Sequence, residues 1–488
     1  MTMAATFTGY RDTKYYTDLF EVSVGELDAV IARAMSSGAG YADLYFENSV
    51  YRSLLLRDGQ VTSTGSHVDY GVGIRALDGE KTGYSFCETT ALPHMLRGAS
   101  AAAAICRCTT GHTGTRTSAG RMDDSRIGAL APHFQPPATA WGSVETAELV
   151  RTLTDLDTAL RRRDPRIQKV VAGINSCEHD VMMYNSAGQL VCDSRPIGRI
   201  VCTIVFSDGK VTESRSAGRS FRKGAEMLAN AAGEIEDELV GGIDAMLQAG
   251  RPKGGKMSVV MGAGASGILL HEAMGHAFEA DFNRKGQSIF CDRMGRRICP
   301  KGINIVDDGT WEGNRGASGW DDEGIPQQKT YMVTDGVLTS YLHDRISAGF
   351  YGVEPTGNGM RESFRYNPLP RMRLTYMESG DTSPQDMIAS VRKGVYVSEF
   401  SNGQVKIGEG DFTFYVKSGF LIENGRLTRP VKDINVVGNG PQALADIVAV
   451  GNDLKIDNGA WTCGKEQSVP VGCGMPTVLV RELTVGGE

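Results

Sequence analysis

Apolar positions near the start of the chain repeat first with a helical period and then with a strand period. Behind Ser23-Val-Gly-Glu26, Leu27, Val30, Ile31 and Ala34 fall three and four residues apart. A serine followed three residues later by a glutamate is a capping box, so a helix is predicted to start there. From Ala42 the spacing shortens to two. Strands are predicted at 42–46, 53–57, 60–63, 70–77 and 82–86, with Asp58-Gly59 and Asp78-Gly79 as hairpin turns. The Ala-rich stretch 92–106 reads as a helix. A third helix is predicted over 144–163, with Leu149, Leu153, Leu156 and Leu160 on one stripe. Strands return at 170–174, 180–184, 189–193, 199–206 and 211–214. A helical pattern then runs from 221 towards 247, weakened by Gly224, Gly233 and the Gly241-Gly242 pair.

Gly250-Arg-Pro-Lys-Gly-Gly255 breaks every periodicity and is taken as a domain boundary. Beyond it a strand at 257–261 leads into one short apolar helix. The rest is mostly strand: 304–306, 330–333, 337–342, 371–376, 395–397, 405–408, 412–416, 420–423, 426–430 and 434–437. Asp335-Gly336 and Asn424-Gly425 are the turns, and short helices are predicted at 382–392 and 441–448. The predicted class is α+β: an N-terminal α+β domain with antiparallel sheet over 1–250, and a β-rich domain over 251–488 that carries the helix. The stretch 109–125, rich in Gly, Ser and Thr, is predicted as a surface loop.

Charge and composition narrow the function. A net charge of −7 and a pI near 5.7 lack the basic footprint of a general nucleic-acid binder. Residues 1–20 mix charges with aromatics, unlike a signal peptide, and the longest weakly polar run, 257–270, is too short to span a bilayer. A cytoplasmic protein without membrane or nucleic-acid partners is the expectation. Its cysteines are then reduced and serve mainly as small core residues.

The densest chemistry lies in Ile268-Leu-Leu-His271-Glu-Ala-Met-Gly-His276-Ala-Phe-Glu279. Zinc-protease helices place two histidines four apart, on one face. Here they are five apart, so on a straight helix His271 and His276 would point about 140° apart and could not share an ion. A π-bulge, or a loosening at Gly275, would bring them together. The bland alternative is a straight helix with Glu272, His276 and Glu279 as a surface stripe. The apolar neighbours Leu270, Met274 and Phe278 argue for burial, where charged groups need partners or a metal. A hydrolytic zinc site needs a third ligand and an open position. Local sequence leaves Glu279, Asp281, Cys291, Cys299 and His343 as candidates, and Cys463, beside Gly464, is a further one too remote for spacing to test.

Further stretches carry a resemblance. They include Asp281-Phe-Asn-Arg-Lys-Gly286, Val306-Asp-Asp-Gly-Thr310, Asp321-Asp-Glu-Gly324, Gly357-Asn-Gly-Met-Arg-Glu-Ser363, Pro370-Arg-Met372, Val450-Gly-Asn-Asp-Leu-Lys455 and Val469-Pro-Val-Gly472. In the first half they include Gly38-Ala-Gly-Tyr-Ala-Asp43 and Gly71-Val-Gly-Ile-Arg75. With the histidine motif, they make the chain similar to the TldD/PmbA family, and to its TldD branch, over nearly its whole length. The resemblance implies a zinc metallopeptidase with Zn²⁺ held by His271, His276 and Cys463, the last in Cys463-Gly-Lys465. It implies cleavage of short or unfolded peptides within a dimer, either a homodimer or a heterodimer with a PmbA-like paralogue. The family usually carries one more glycine after Cys-Gly-Lys-Glu, whereas here Glu466 runs directly into Gln467. Cys473, where the family commonly has Val, is the substitute ligand.

The expected mechanism is hydrolysis by metal-activated water with Glu272 as general base. His343 and Arg361 are the candidate oxyanion donors. Two other classes remain: a non-catalytic dimer scaffold or partner regulator with a structural metal, and a gyrase or nucleic-acid regulator, which the acidic chain disfavours.

Overall fold

A computed structural model describes residues 11–106, 136–264, 266–406 and 408–487. The stretch 109–125 lies outside the described residues.

Alternation along one strand organises the first half. Tyr41–Arg57 pairs antiparallel with Gln60–Asp78 on one side and with Ile167–Asn185 on the other. Among the described residues these belong to a seven-stranded sheet completed by Lys81–Cys87, Leu190–Ser194, Ile197–Ser207 and Thr212–Phe221. Successive side chains of a strand face opposite ways. Leu44, Phe46, Leu54 and Leu56 therefore share one face, and helices cover it. Val24–Ala34 and Leu92–Ile105 pack over one end, and Thr146–Arg163 and Leu228–Gly241 over the other. Asp43, Tyr45 and Glu47 point to the opposite face, where the second half of the chain docks. Phe364 from that half packs with Tyr45, Val181, Met183 and Val191. Gly71 and Gly73 make room for it: a Cβ on Gly71 would lie 2.4 Å from the Phe364 ring, and one on Gly73 2.6 Å from its carbonyl oxygen.

The second half contains two larger sheets. In one, Lys393–Val405, Gly255–Met261, Val478–Val485, Ile434–Asn439 and Asp411–Glu423 pair in that order, and the last pairs back onto the first, closing the circuit. Closure removes the free edges that an open sheet leaves. The other runs Val337–Leu338, Lys329–Thr334, Ile305–Asp308, Leu374–Met377, Gly472–Met475 and Lys455–Asp457. The helix Gly267–Ala273 is wedged between them, touching Leu374–Met377, Gly472–Met475, Lys393–Val405 and Asp411–Glu423. Gly267 permits the close approach, since a Cβ there would sit 2.7 Å from the Gly474 backbone.

Several predicted strands prove to be pieces of longer ones. The segments 42–46 and 53–57 are one strand of 17 residues, and 60–63 and 70–77 are one of 19. The intervening Asn48, Ser49 and Gly65 break the apolar alternation but not the hydrogen-bond ladder, which depends on the backbone. The helical pattern predicted from 221 starts only at Leu228; Phe221 still belongs to a strand. Gly241-Gly242 splits that helix, as its backbone freedom suggested. The Ser23 capping box is present with both of its hydrogen bonds. Asp58-Gly59, Asp335-Gly336 and Asn424-Gly425 all have positive φ at both positions, the geometry of a tight hairpin turn.

Candidate metal centre

The apolar helix Gly267–Ala273 ends before the second histidine. At Met274 the backbone turns out of the helix (φ −135°, ψ −36°), and Gly275–Phe278 continues as a tighter 3₁₀ turn. Met372 occupies the space that a side chain at 275 would need: a Cβ there would lie 2.1 Å from its sulfur. Of the two predicted ways to unite the histidines, the structure uses the loosening at Gly275. The imidazole rings come to 5.2 Å between centroids, inclined at 78°.

Cys463 joins them from 187 residues away, its Sγ 3.3 Å from His276 Nε2. It sits on a short ladder, Thr462–Cys463 against Val469–Pro470. Ligand-capable atoms of His271, His276 and Cys463 all lie within 4.8 Å of one another, and all three residues are buried. Glu272 stands beside them, its Oε2 4.0 Å from His276 Nε2 and its side chain 29% exposed.

The electrostatics suit a cation. Burial raises the Cys463 thiol, but the adjacent imidazoles of His271 and His276 outweigh it and bring the pKa down to about 4. Those imidazoles favour the thiolate, the form in which a cysteine ligates a metal. Burial lowers His276, yet the Glu279 carboxylate and the Cys463 thiolate lift it to about 10. Glu279 is itself wholly buried. Burial raises its pKa, but Lys465, His276 and Arg371 together pull it down to about 2. Its Oε2 accepts from His276 Nδ1 at 2.8 Å. A carboxylate behind an imidazole is the common support of a metal-bound histidine, leaving the other ring nitrogen for the metal. Both nitrogens of His271 are buried without any hydrogen-bond partner. Such an orphaned pair is costly unless something else satisfies it. Two imidazoles and a thiolate with an acidic neighbour therefore fit a divalent ion with a position left open.

The other candidates fall elsewhere. Glu279 holds the far side of His276, and Asp281 bonds Lys465 Nζ at 2.7 Å. Cys291 donates to the Ser288 carbonyl and Cys299 is buried in the core, so neither is part of the cluster. Cys473 lies in Gly472–Met475, its thiol held well above the ordinary range by burial and by Asp457 and Glu272. Arg361 lies at the seam with the first sheet. It stacks over Tyr45, and its guanidinium donates to the Asp322 carbonyl and the Tyr84 hydroxyl, so those donors are committed to the seam. His343 packs among Tyr341 and Tyr351, and burial lowers its pKa to about 4.

Arg371 was not singled out by sequence reasoning. It lies where a strand had been predicted over 371–376; the strand begins only at Leu374. Asp307 and Asn358 instead hold the backbone of 371–373, through Arg373 N–H and the Arg371 carbonyl. The one available signal was its place in Pro370-Arg-Met372.

Fold and centre together define an α+β protein with a cluster of two histidines and one cysteine that could hold a metal ion, at the end of a helix between two sheets. Comparison with known proteins agrees. Residues 254–487 match the family model for the PmbA/TldA metallopeptidase C-terminal domain, 42–106 match domain 1, and 140–240 the central domain. The chain is 37% identical to the metalloprotease TldD homolog of Haemophilus influenzae, covering 92% of this chain and 93% of that one. It is 32% identical to a metalloprotease of Methanothermobacter thermautotrophicus, covering 92% and 95%. The crystal structure of TldE from Thermococcus kodakarensis superposes with a TM-score of 0.72 at 16% identity, covering 95% of this chain and 100% of that one. The chain belongs to the PmbA/TldD metallopeptidase family. Among the described residues, no helix is long and apolar enough to cross a membrane.

Proposed function

We propose that this protein is a zinc-dependent peptidase of short or unfolded peptides, with His271, His276 and Cys463 as the zinc ligands and Glu272 as general base. The observation that supports it most is the convergence of those three side chains within 4.8 Å, with Glu272 at the side that solvent reaches. Zn²⁺ held there would polarise the scissile carbonyl and lower the pKa of water towards about 7. The Glu272 carboxylate takes a proton from the attacking water and returns it to the leaving amine. Glu279 engages Nδ1 of His276, which leaves Nε2, 3.3 Å from Cys463 Sγ, as the ring nitrogen that would face the metal.

Lys455–Asp457 is an outer strand of its sheet, next to the strand that carries Cys473. An extended peptide could add to such an edge through main-chain bonds, which accounts for weak sequence preference. The working form is a homodimer or a heterodimer with a PmbA-like paralogue, in the cytoplasm and without nucleic-acid or membrane partners.

Glu272→Gln tests the reading. The variant is expected to retain metal and lose about 10²- to 10⁴-fold in peptide hydrolysis. Full hydrolysis by a metal-loaded variant would remove Glu272 from the chemistry. A wild-type protein that holds metal but cleaves no unfolded peptide would instead indicate a scaffold with a structural metal.

A further inference from the structure

Taking Cys463 as the third ligand, as in the reading above, leaves the question of what brings a residue so remote in sequence to the two histidines. The turn that carries it is wound around one fully buried cation. Arg371 donates through Nη2 to the Cys463 carbonyl at 2.8 Å, and through Nη1 to those of Lys465 at 3.2 Å and Gln467 at 2.9 Å. Three carbonyls from alternate residues thus converge on a single guanidinium. The turn is tight enough to need this: Glu466 has φ 54°, and the Gln467 N–H bonds the Lys465 carbonyl at 2.5 Å.

Lys465 ties the same turn to the histidine side. Its ammonium lies 2.7 Å from Asp281 and 3.1 Å from Glu279, and it donates to the Pro370 carbonyl at 3.1 Å. Glu279 is the acceptor for His276 Nδ1, and Arg371 Nε faces its other oxygen at 3.8 Å. Arg371 and Lys465 against Glu279 and Asp281 make a balanced set of buried charges that requires no metal ion for its neutrality.

We propose that Arg371, with Lys465, is the positioning device for Cys463, and that it holds the 461–470 turn in its ligating shape before any metal arrives. The centre is then pre-formed, unlike sites in which the metal itself folds the ligand loop. A guanidinium suits this role because its planar, rigid fork spreads its donors over separate nitrogens in fixed directions, whereas an ammonium gathers its three donors on one atom at the end of a flexible stem.

The test uses full-length protein, metal-free and loaded with Co²⁺, and reads amide hydrogen exchange over 461–470 and the thiolate-to-cobalt charge-transfer band. In the wild type, exchange is expected to be slow in both states. In Arg371→Lys, metal-free exchange is expected to rise at least about tenfold through local opening. Its thiolate–cobalt band should weaken while the histidine contribution to the cobalt spectrum stays. Lys465→Met should shift both readouts the same way by less, and it decides the matter if Arg371→Lys does not fold. Metal-free wild type that exchanges as fast as the variant, and is protected only by cobalt, would overturn the proposal. So would a folded Arg371→Lys with wild-type exchange and band. Failure of the wild type to take up cobalt would count against the metal reading alone, and the metal-free exchange comparison would still decide the role of Arg371.

Discussion

Buried charged side chains gather around Cys463 and also at the seam between the first sheet and the second half. At the seam Arg75 and Arg195 each take a carboxylate from either side. Arg75 bonds Asp43 of the sheet and Glu323 of the second half, the latter at 2.7 Å. Arg195 bonds Asp193 at 2.8 Å and Asp322 at 2.5 Å in the same manner. Around Cys463, Arg371 holds main-chain carbonyls, and of the two carboxylates that Lys465 contacts, Glu279 also engages an imidazole. The first arrangement joins two large surfaces, so its loss should appear as stability. The second shapes a single turn, so its loss should appear at the metal.

The sharpest way to break that contrast is at the sulfur. Cys463→Ala is expected to abolish stoichiometric metal binding, measured by elemental analysis, with the fold intact. Cys473→Ala should keep its metal and lose only about 1 kcal/mol of stability as a small core truncation. Metal lost only from the Cys473 variant would reassign the third ligand.

At the seam, Arg75→Met strands two buried carboxylates. A loss of about 3–5 kcal/mol of unfolding free energy is expected, read by denaturant titration, with metal content unchanged in the folded fraction. Next comes Glu47, buried at the same seam, accepting from the Phe364 N–H at 2.7 Å. Burial lifts its pKa from 4.5 to about 7 despite the hydrogen bonds from Ser49 and Phe364. A folded-state pKa above the unfolded one contributes stability that is present below pH 4.5 and lost as pH rises through 7. Glu47→Gln removes that loss. Its stability relative to wild type should therefore improve by about 3 kcal/mol between pH 4.5 and pH 7, and a flat difference in melting curves across that range would refute the assignment. The smallest effect lies in the Cys463 turn. Glu466→Gly relieves a left-handed residue at the cost of a freer unfolded chain, so a gain below about 1 kcal/mol is expected, with no change in metal affinity.

Local patterns were legible where one short segment decides the outcome. The Ser23 cap, the leucine stripe of Thr146–Arg163 and the Asp-Gly and Asn-Gly turns depend on residues a few positions apart. Strand length was not, because Asn48, Ser49 and Gly65 interrupt hydrophobicity while their backbones remain paired with neighbouring strands. At the centre, the five-residue spacing already demanded a broken helix near Gly275. Arg371 escaped notice because a buried arginine among main-chain carbonyls leaves no periodicity to read.

By itself, then, the sequence determined the elements, the turns, the two histidines with their neighbouring glutamate, and the family. These follow from backbone preference and short-range spacing. Only the tertiary structure decided that Met372 fills the space beside Gly275, that Glu279 stands behind His276 rather than joining the ligand-capable cluster, and that Arg371 and Lys465 carry Cys463 to the histidines. Those outcomes rest on which buried donor finds which acceptor across 187 residues of chain, and packing between sheets settles that.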